Sequence, residues 1–99
     1  MEGSEHAVGL YRPGPRWDEA APLGKQSGVQ EHIAYLVSLL REGKAQSAGP
    51  FHRPEDRVGD RPVGLILFSV SYEEARRLAE ADPAVACGLM VCDVLPWYP

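Results

Sequence analysis

The longest apolar run in the chain, residues 63–70, limits the folds that the sequence can adopt. The run is far shorter than the ~20 residues of a membrane-spanning helix, and its length suits a β-strand. Because side chains alternate across a strand, both faces of this strand are apolar. One face carries Val63, Leu65 and Leu67, and the other carries Ile66, Phe68 and Val70. The run therefore predicts a strand in a sheet that is covered on both faces.

A first helix is predicted over residues 28–42. Ser27 and Gln30 have the spacing of a capping box at its start, and Gly43 is a stop signal at its end. The apolar positions between them recur at helical spacing, which indicates one buried face. These positions are Val29, Ile33, Leu36, Val37 and Leu40.

A second helix is predicted to begin after Ser71, where Glu74 completes another capping box, and to end at Pro83. Asp82 continues the apolar face of this helix at its C-terminal end. A carboxylate there opposes the helix dipole by about 0.3–1 kcal/mol. Two interpretations of Asp82 stay open: it caps its own backbone ahead of the proline, or it is a partly buried carboxylate that orients or activates another group.

The strands predicted at residues 7–11, 45–51, 63–70 and 88–95 complete the order βαββαβ. This order is typical of the ferredoxin-like α+β fold, a four-stranded antiparallel sheet with two helices on one face. Residues 88–95 are also apolar on both faces, and two helices cover only one face of such a sheet. The simplest cover for the second face is another copy of the chain, so we expect a homodimer.

Composition and charge narrow the function classes. The 99 residues favour a single domain, 1–99, in which residues 1–5 are expected to be disordered. The net charge of -4 argues against a nucleic-acid partner. No leader with a basic and then an apolar part opens the sequence, so we expect a cytoplasmic protein without a membrane partner. Cys87 and Cys92 are too few for a disulfide scaffold, and their spacing argues against pairing.

His32 is the first candidate for chemistry, because it borders the apolar stripe near the start of the first helix. A helix N-terminus disfavours a protonated imidazole, and a neutral histidine can act as a base or a metal ligand. The alternative is a half-buried histidine that only packs. His6, His52 and Asp56 could join His32 at a metal, but none is paired at helical spacing, so we expect no metal site and no cofactor.

The loop after the first strand adds a candidate binding site. Arg12 directly follows the strand, and Arg16 and Trp17 lie further along the loop. Arginine suits bidentate binding of carboxylates, so the loop could hold a small anionic or aromatic ligand. Solvated surface arginines are the alternative, more so for Arg16 than for Arg12.

Several short segments, taken in order, resemble the YCII-related family. They are residues 32–36, 39–43, 48–51, 71–75, 81–85 and 94–97, and residues 12–17 are similar to a loop in one branch of the family. The resemblance implies a ferredoxin-like domain that dimerises as an α/β barrel. It also implies an active site centred on a histidine and an aspartate, which match His32 and Asp82, and proton transfer on a small cyclic or aromatic molecule.

Strand direction decides which residues meet. We expect the first and third strands to run parallel, so that both helices begin at the same end of the sheet. His32 would then lie about 15 Å or more from Asp82, because a helix rises by about 1.5 Å per residue. A pocket is expected at the His32 end, with His32 as general base or acid. Its other expected residues are Arg12 as an anion anchor, Trp17 and Phe51 as apolar walls, and Gly49, Pro50 and Ser69.

The favoured hypothesis is a cofactor-free isomerase or lyase that uses His32, with Asp82 as the second candidate catalytic residue. The alternative is a non-catalytic module that binds a small molecule or serves as an accessory protein, in the same homodimer. A metal-dependent enzyme is the third hypothesis. Fold does not decide among them. Whether a bound molecule is chemically changed separates the first two.

Overall fold

Four strands and three α-helices make up the part of the chain that the computed structural model describes, residues 6–51 and 61–98. In chain order they are β1 (His6–Pro13), α1 (Val29–Arg41), β2 (Ala45–Pro50), β3 (Gly64–Phe68), α2 (Tyr72–Glu80), α3 (Pro83–Ala86) and β4 (Met90–Trp97). A 3-10 turn, Leu23–Lys25, lies between β1 and α1. The predictions for residues 1–5, for His52 and for Asp56 lie outside the described residues.

The strands form one sheet in the order β2-β3-β1-β4, and every neighbouring pair is antiparallel. The predicted ferredoxin-like α+β fold is confirmed, with α3 as an additional short helix. The expectation that β1 and β3 run parallel is wrong. β2 runs in the direction of β1, and the chain reverses between β2 and β3, so β3 must oppose β1.

A glycine, and not the predicted serine, begins α1. The N-cap is Gly28, whose φ of 95° lies in the left-handed region that glycine adopts without strain, and it makes no side-chain cap. The predicted capping box of Ser27 with Gln30 is therefore wrong, because the helix begins one residue later than that box requires. At the other end Gly43 adopts a φ of 76°, as the predicted stop signal requires.

An extended residue, Asp82, separates α2 from α3. The hydroxyl oxygen of Ser71 accepts a hydrogen bond from the backbone N–H of Glu74, which confirms the predicted cap. α2 ends at Glu80, and Asp82 is the N-cap of α3, with Pro83 in its first turn. The prediction that Asp82 ends the second helix is therefore wrong. Proline lacks an N–H and has a fixed φ, so it suits the first turn of a new helix better than the last turn of an old one.

The core lies between the sheet and the helices, where Phe68, Ile66, Leu89 and Met90 are the largest fully buried apolar side chains. The side chains on the other face of the sheet are half-buried or exposed, although most are apolar. They include Val8, Leu10, Leu65, Leu67, Val91 and Leu95. Within the described residues, no helix has the length and apolar character that crossing a membrane requires.

Candidate active site

The antiparallel sheet brings the start of α1 and the end of α2 to the same end of the molecule. α1 follows β1, and α2 follows the oppositely directed β3, so the two helices run in opposite directions. As a result, Nδ1 of His32 lies 2.8 Å from Oδ2 of Asp82. The expected separation of about 15 Å is wrong, because it rested on parallel strands and on Asp82 lying at the far end of α2. The two residues meet within one chain.

Asp82 is fully buried, and donors satisfy both of its carboxylate oxygens. Oδ2 accepts a hydrogen bond from the Tyr11 hydroxyl at 2.9 Å and also contacts His32. Oδ1 accepts from the backbone N–H of Ala84 at 2.8 Å. The capping interpretation of Asp82 is thus confirmed for one oxygen, while the other oxygen contacts the histidine. A buried charge is costly unless it is paired and hydrogen-bonded, and this cluster meets that requirement.

The hydrogen-bond pattern assigns different tasks to the two ring nitrogens of His32. Opposite an ionised Asp82 carboxylate, which can only accept hydrogen bonds, the Nδ1–H tautomer of His32 donates to Oδ2. In the neutral form of that tautomer, Nε2 holds the lone pair. A buried carboxylate that fixes the tautomer of a histidine also stabilises the imidazolium when that ring takes up a second proton. The arrangement suits proton transfer at Nε2.

Tyr11 completes this cluster and was not among the residues predicted from the sequence. Its ring meets the His32 ring edge to face, with the centroids 4.9 Å apart. Burial, followed by the charge of Asp82, raises the pKa of the Tyr11 phenol far above its ordinary value, so the hydroxyl keeps its proton and donates it. The only sequence signal for Tyr11 was its place at the end of an apolar strand, which many packing residues share.

Cys92 pairs with Tyr11 across β1 and β4. Burial, with the charge of Asp82, raises the pKa of its thiol to about 12, so it is not poised as a nucleophile. Cys92 and Cys87 are both free, as predicted. Within residues 6–51 and 61–98, no group of three or more His, Cys, Asp or Glu side chains is placed to hold a metal ion.

A cavity of about 620 Å³ opens beside His32 and Tyr11. Apolar side chains of α1 form one wall, and the end of β2 forms part of the opposite wall. Of the predicted pocket residues, Gly49, Pro50 and Phe51 lie in this lining together with His32. They come together because β2 runs in the same direction as β1, so that β2 ends at the same end of the sheet at which α1 begins.

The third wall of the cavity comes from the loop before α1, and a buried glutamine holds that loop in shape. Oε1 of Gln26 accepts from the Asp18 backbone N–H at 2.9 Å. Its Nε2 donates to the carbonyl oxygens of Asp18 and Ala21 at 2.7 and 2.8 Å. Leu23 on this loop therefore has a fixed position in the cavity lining. The sequence does not predict this role of Gln26, because a glutamine in a polar loop is ordinary.

Arg12 lies on the other face of the sheet, because it follows Tyr11 in β1 and side chains alternate across a strand. Its Nε lies 2.6 Å from Oδ2 of Asp93 on the neighbouring strand β4. Hydrogen bonds from Arg12, and its charge, hold the pKa of Asp93 below its usual range. The structure therefore does not place Arg12 in the cavity beside His32.

Ser69 and Trp17 also lie outside the cavity lining. Ser69 follows β3, and its backbone N–H donates to the carbonyl oxygen of Lys44, just beyond the C-terminal end of α1. The expectation that Ser69 lies at the His32 end is wrong for the same reason as before, since β3 opposes β1. Trp17 is partly buried and packs against the hydrophobic core.

Comparisons with known proteins agree with this fold. The sequence matches the model of the YCII-related domain over residues 18–98. No curated protein matches the chain. One similar solved structure is that of 5-chloro-2-hydroxyhydroquinone dehydrochlorinase (TftG) from Burkholderia phenoliruptrix AC1100 in complex with 2,5-dihydroxybenzoquinone. It is 23% identical, the match covers 92% of each chain, and the TM-score is 0.56. Because the family match spans most of the sequence, the chain belongs to the YCII-related domain family.

Proposed function

We propose that the protein is a cofactor-free enzyme of isomerase or lyase type, which moves a proton on a small cyclic or aromatic molecule. The observation that carries the proposal is the 2.8 Å contact between Nδ1 of His32 and Oδ2 of the buried Asp82, at the wall of an apolar cavity. A histidine oriented in this way is suited to general acid–base catalysis, which contributes typically about 10²–10⁴-fold to a rate.

His32 is the proposed base. Its Nε2 takes a proton from a carbon or hydroxyl group of the bound ring, and Asp82 stabilises the imidazolium that forms. In an isomerisation the imidazolium returns the proton to a different atom of the ring. In an elimination the electron pair left by the proton forms a new double bond, while the leaving group departs with its own bonding pair. The imidazolium then gives its proton to water.

The cavity supports a ring compound as the substrate class. Phe51 and Met90 contribute apolar surface to the lining that also includes His32, and the Tyr11 ring lies against the histidine. The similar dehydrochlorinase structure contains 2,5-dihydroxybenzoquinone, which is a ring of this class. At 23% sequence identity this likeness shows the fold alone, so the compound serves here as a choice of probe and the ring proposal depends on the cavity.

A homodimer is part of the proposal. The sheet face that carries Leu10, Leu67 and Leu95 is largely apolar, and Leu95 is 50% exposed. Apolar sheet faces favour burial against another layer. We expect a dimer by size-exclusion chromatography with light scattering at micromolar concentration, and a monomer for Leu67→Asp. A monomeric wild type would reject this part of the proposal.

Turnover tests the proposed enzyme. 5-Chloro-2-hydroxyhydroquinone and related halogenated hydroxyquinols are suitable probes, with halide release and the quinone spectrum as readouts. His32→Gln should lower turnover by about 10²-fold or more while the protein stays folded by circular dichroism. Glu31→Gln, at an exposed position beside it, is the matched control and should keep wild-type turnover.

Two results would contradict the enzyme proposal. Undiminished turnover by His32→Gln would remove His32 as the base. Tight binding of the ring compounds by wild-type protein, without any chemical change in them, would favour the non-catalytic binding module instead.

A further inference from the structure

The cavity beside His32 is much larger than a single ring requires. Its volume is about 620 Å³. A closed apolar cavity of about 150 Å³ is already large enough to bind benzene. A ring that contacts His32 and Tyr11 therefore leaves most of the cavity unfilled. The lining of the unfilled part indicates what else the substrate contains.

The remaining space extends along α1 and is polar at one end only. His32 lies in the first part of this helix and Leu40 in its last turn, about 12 Å further along at about 1.5 Å per residue. Ile33, Leu36 and Val37 line the cavity between them, at helical spacing. The lining thus changes from a histidine and a tyrosine at one end to aliphatic side chains at the other.

Exposed apolar surface is concentrated in the same place. Ile33, Leu40 and Phe51 are 46%, 37% and 41% exposed, and all three line the cavity. Single exposed hydrophobic residues are ordinary, but a contiguous group that adjoins a cavity marks a surface that a ligand can cover. This group forms one continuous path from the His32 end of the cavity to Leu40.

We propose that the natural substrate is an amphiphile: a polar ring at His32 that carries an apolar tail, which lies along α1 toward Leu40. The position of the ring rests on the proposed function, whereas the tail site rests on the cavity alone. Ile33, Val37 and Leu40 are then the residues that select the tail.

A series of 4-alkylphenols tests the tail site. Dissociation constants for phenol, 4-ethylphenol, 4-butylphenol and 4-hexylphenol are measured by calorimetry, below the concentrations at which these compounds aggregate. Burial of each CH₂ should tighten binding about fourfold, until the tail passes Leu40. Equal affinity for all four phenols would overturn the proposal. That result would arise if a second copy of the chain covered this surface in solution.

Variants separate a specific site from non-specific adsorption. Leu40→Gln should weaken binding of 4-hexylphenol about fourfold or more and leave phenol binding unchanged. Ile33→Gln serves as a second variant at the exposed edge of the same path. Ala34→Gln, on an exposed position of α1 outside the lining, is the matched control and should change neither value. Equal losses in Leu40→Gln and Ala34→Gln would overturn the proposal.

His32→Ala distinguishes this inference from the proposed function. The variant should lose turnover and still show the gain in affinity from ethyl to hexyl. Loss of turnover without any gain along the series supports the enzyme alone and rejects the tail site. A gain along the series with undiminished turnover supports the tail site and rejects His32 as the base.

Discussion

Two carboxylates on opposite faces of the sheet show how burial changes the stability that is lost when a pair of polar side chains is broken. Asp82 contacts His32 on the helix-covered face, where the two side chains are 0% and 9% exposed. Asp93 pairs with Arg12 on the other face, where the side chains are 45% and 35% exposed. Adjacent residues of β1, Tyr11 and Arg12, take part in the two clusters.

A short contact alone does not make a charged pair important for stability. The Arg12–Asp93 contact is the shorter of the two, at 2.6 Å against 2.8 Å. Within a single subunit, water nevertheless screens the exposed pair, and such pairs are worth about 0–1 kcal/mol. Asp82 is shielded from water and depends on the donors around it. The buried pair is therefore the one whose disruption has large consequences.

The largest expected effect is that of Asp82→Ala. The change leaves the Tyr11 hydroxyl, Nδ1 of His32 and the N–H of Ala84 without their acceptor, so the free energy of unfolding should fall by about 3–5 kcal/mol. Asp93→Ala, made in the Leu67→Asp variant expected to be monomeric, is the matched control on the other face and should cost less than about 1 kcal/mol. Urea denaturation of both variants measures the difference. Equal costs would refute the contrast between the two faces.

Tyr11→Phe should have the next largest effect. The lost hydrogen bond has a charged acceptor, so the expected loss of unfolding free energy is about 2 kcal/mol. Tyr35→Phe is a suitable control, because the Tyr35 hydroxyl donates to a neutral acceptor, the carbonyl oxygen of Leu78, at 2.7 Å. That change should cost about 1 kcal/mol. A smaller loss for Tyr11→Phe than for Tyr35→Phe would show that Tyr11 contributes little to the buried cluster.

Thiol labelling probes the buried side without a mutation. Cys87 is exposed, whereas burial and the charge of Asp82 raise the pKa of Cys92 to about 12. The Cys92 thiol should react with a thiol reagent at pH 8 at least about tenfold more slowly than Cys87. Equal labelling rates in the folded protein would contradict this account.

The raised pKa of Cys92 also makes stability depend on pH. As the pH rises, the thiol ionises in the unfolded chain before it ionises in the folded protein, so the free energy of unfolding should decline between about pH 8.5 and pH 12.

The smallest effect is expected for Arg12→Gln in the monomeric Leu67→Asp background, where it should change the unfolding free energy by less than about 1 kcal/mol. Arg12 lowers the pKa of Asp93, so the pair stabilises the fold at neutral pH. That contribution should disappear as the pH falls below about 4, through the folded-state pKa of Asp93. Comparing Leu67→Asp with Leu67→Asp/Arg12→Gln at pH 7 and at low pH measures it. A loss above about 2 kcal/mol at pH 7 in this monomeric background would contradict the screening of the pair by water.

Hydrophobic periodicity was sufficient to predict the fold. The helix over residues 28–42 and the strand over residues 63–70 have strong patterns, and both elements lie within two residues of the predicted ends. Ends that depend on backbone conformation were harder to predict. Gly28 begins α1 through its left-handed φ, and Pro83 begins α3, where the sequence suggested only the end of a helix.

For the candidate site, the sequence predicted residues that meet in the structure but not how they are arranged. His32 and Asp82 were named, yet an error in the direction of one strand put them far apart. Alternation along β1 could have placed Arg12 on the face opposite Tyr11, once the helix-covered face was known. Tyr11 and Gln26 could not be found, because their tasks depend on contacts with residues distant in the sequence.

The exchange of carbon-bound hydrogen for deuterium is the most direct test of His32 as a base, because it detects proton transfer without requiring a completed reaction. Benzene-1,2,4-triol, the parent hydroxyquinol, is incubated with the protein in D₂O, and loss of its ring proton signals is followed by NMR. We expect exchange well above the uncatalysed rate for wild type and a decrease of about 10²-fold or more for His32→Gln. Equal exchange rates for wild type and His32→Gln would contradict the role of His32 as the base.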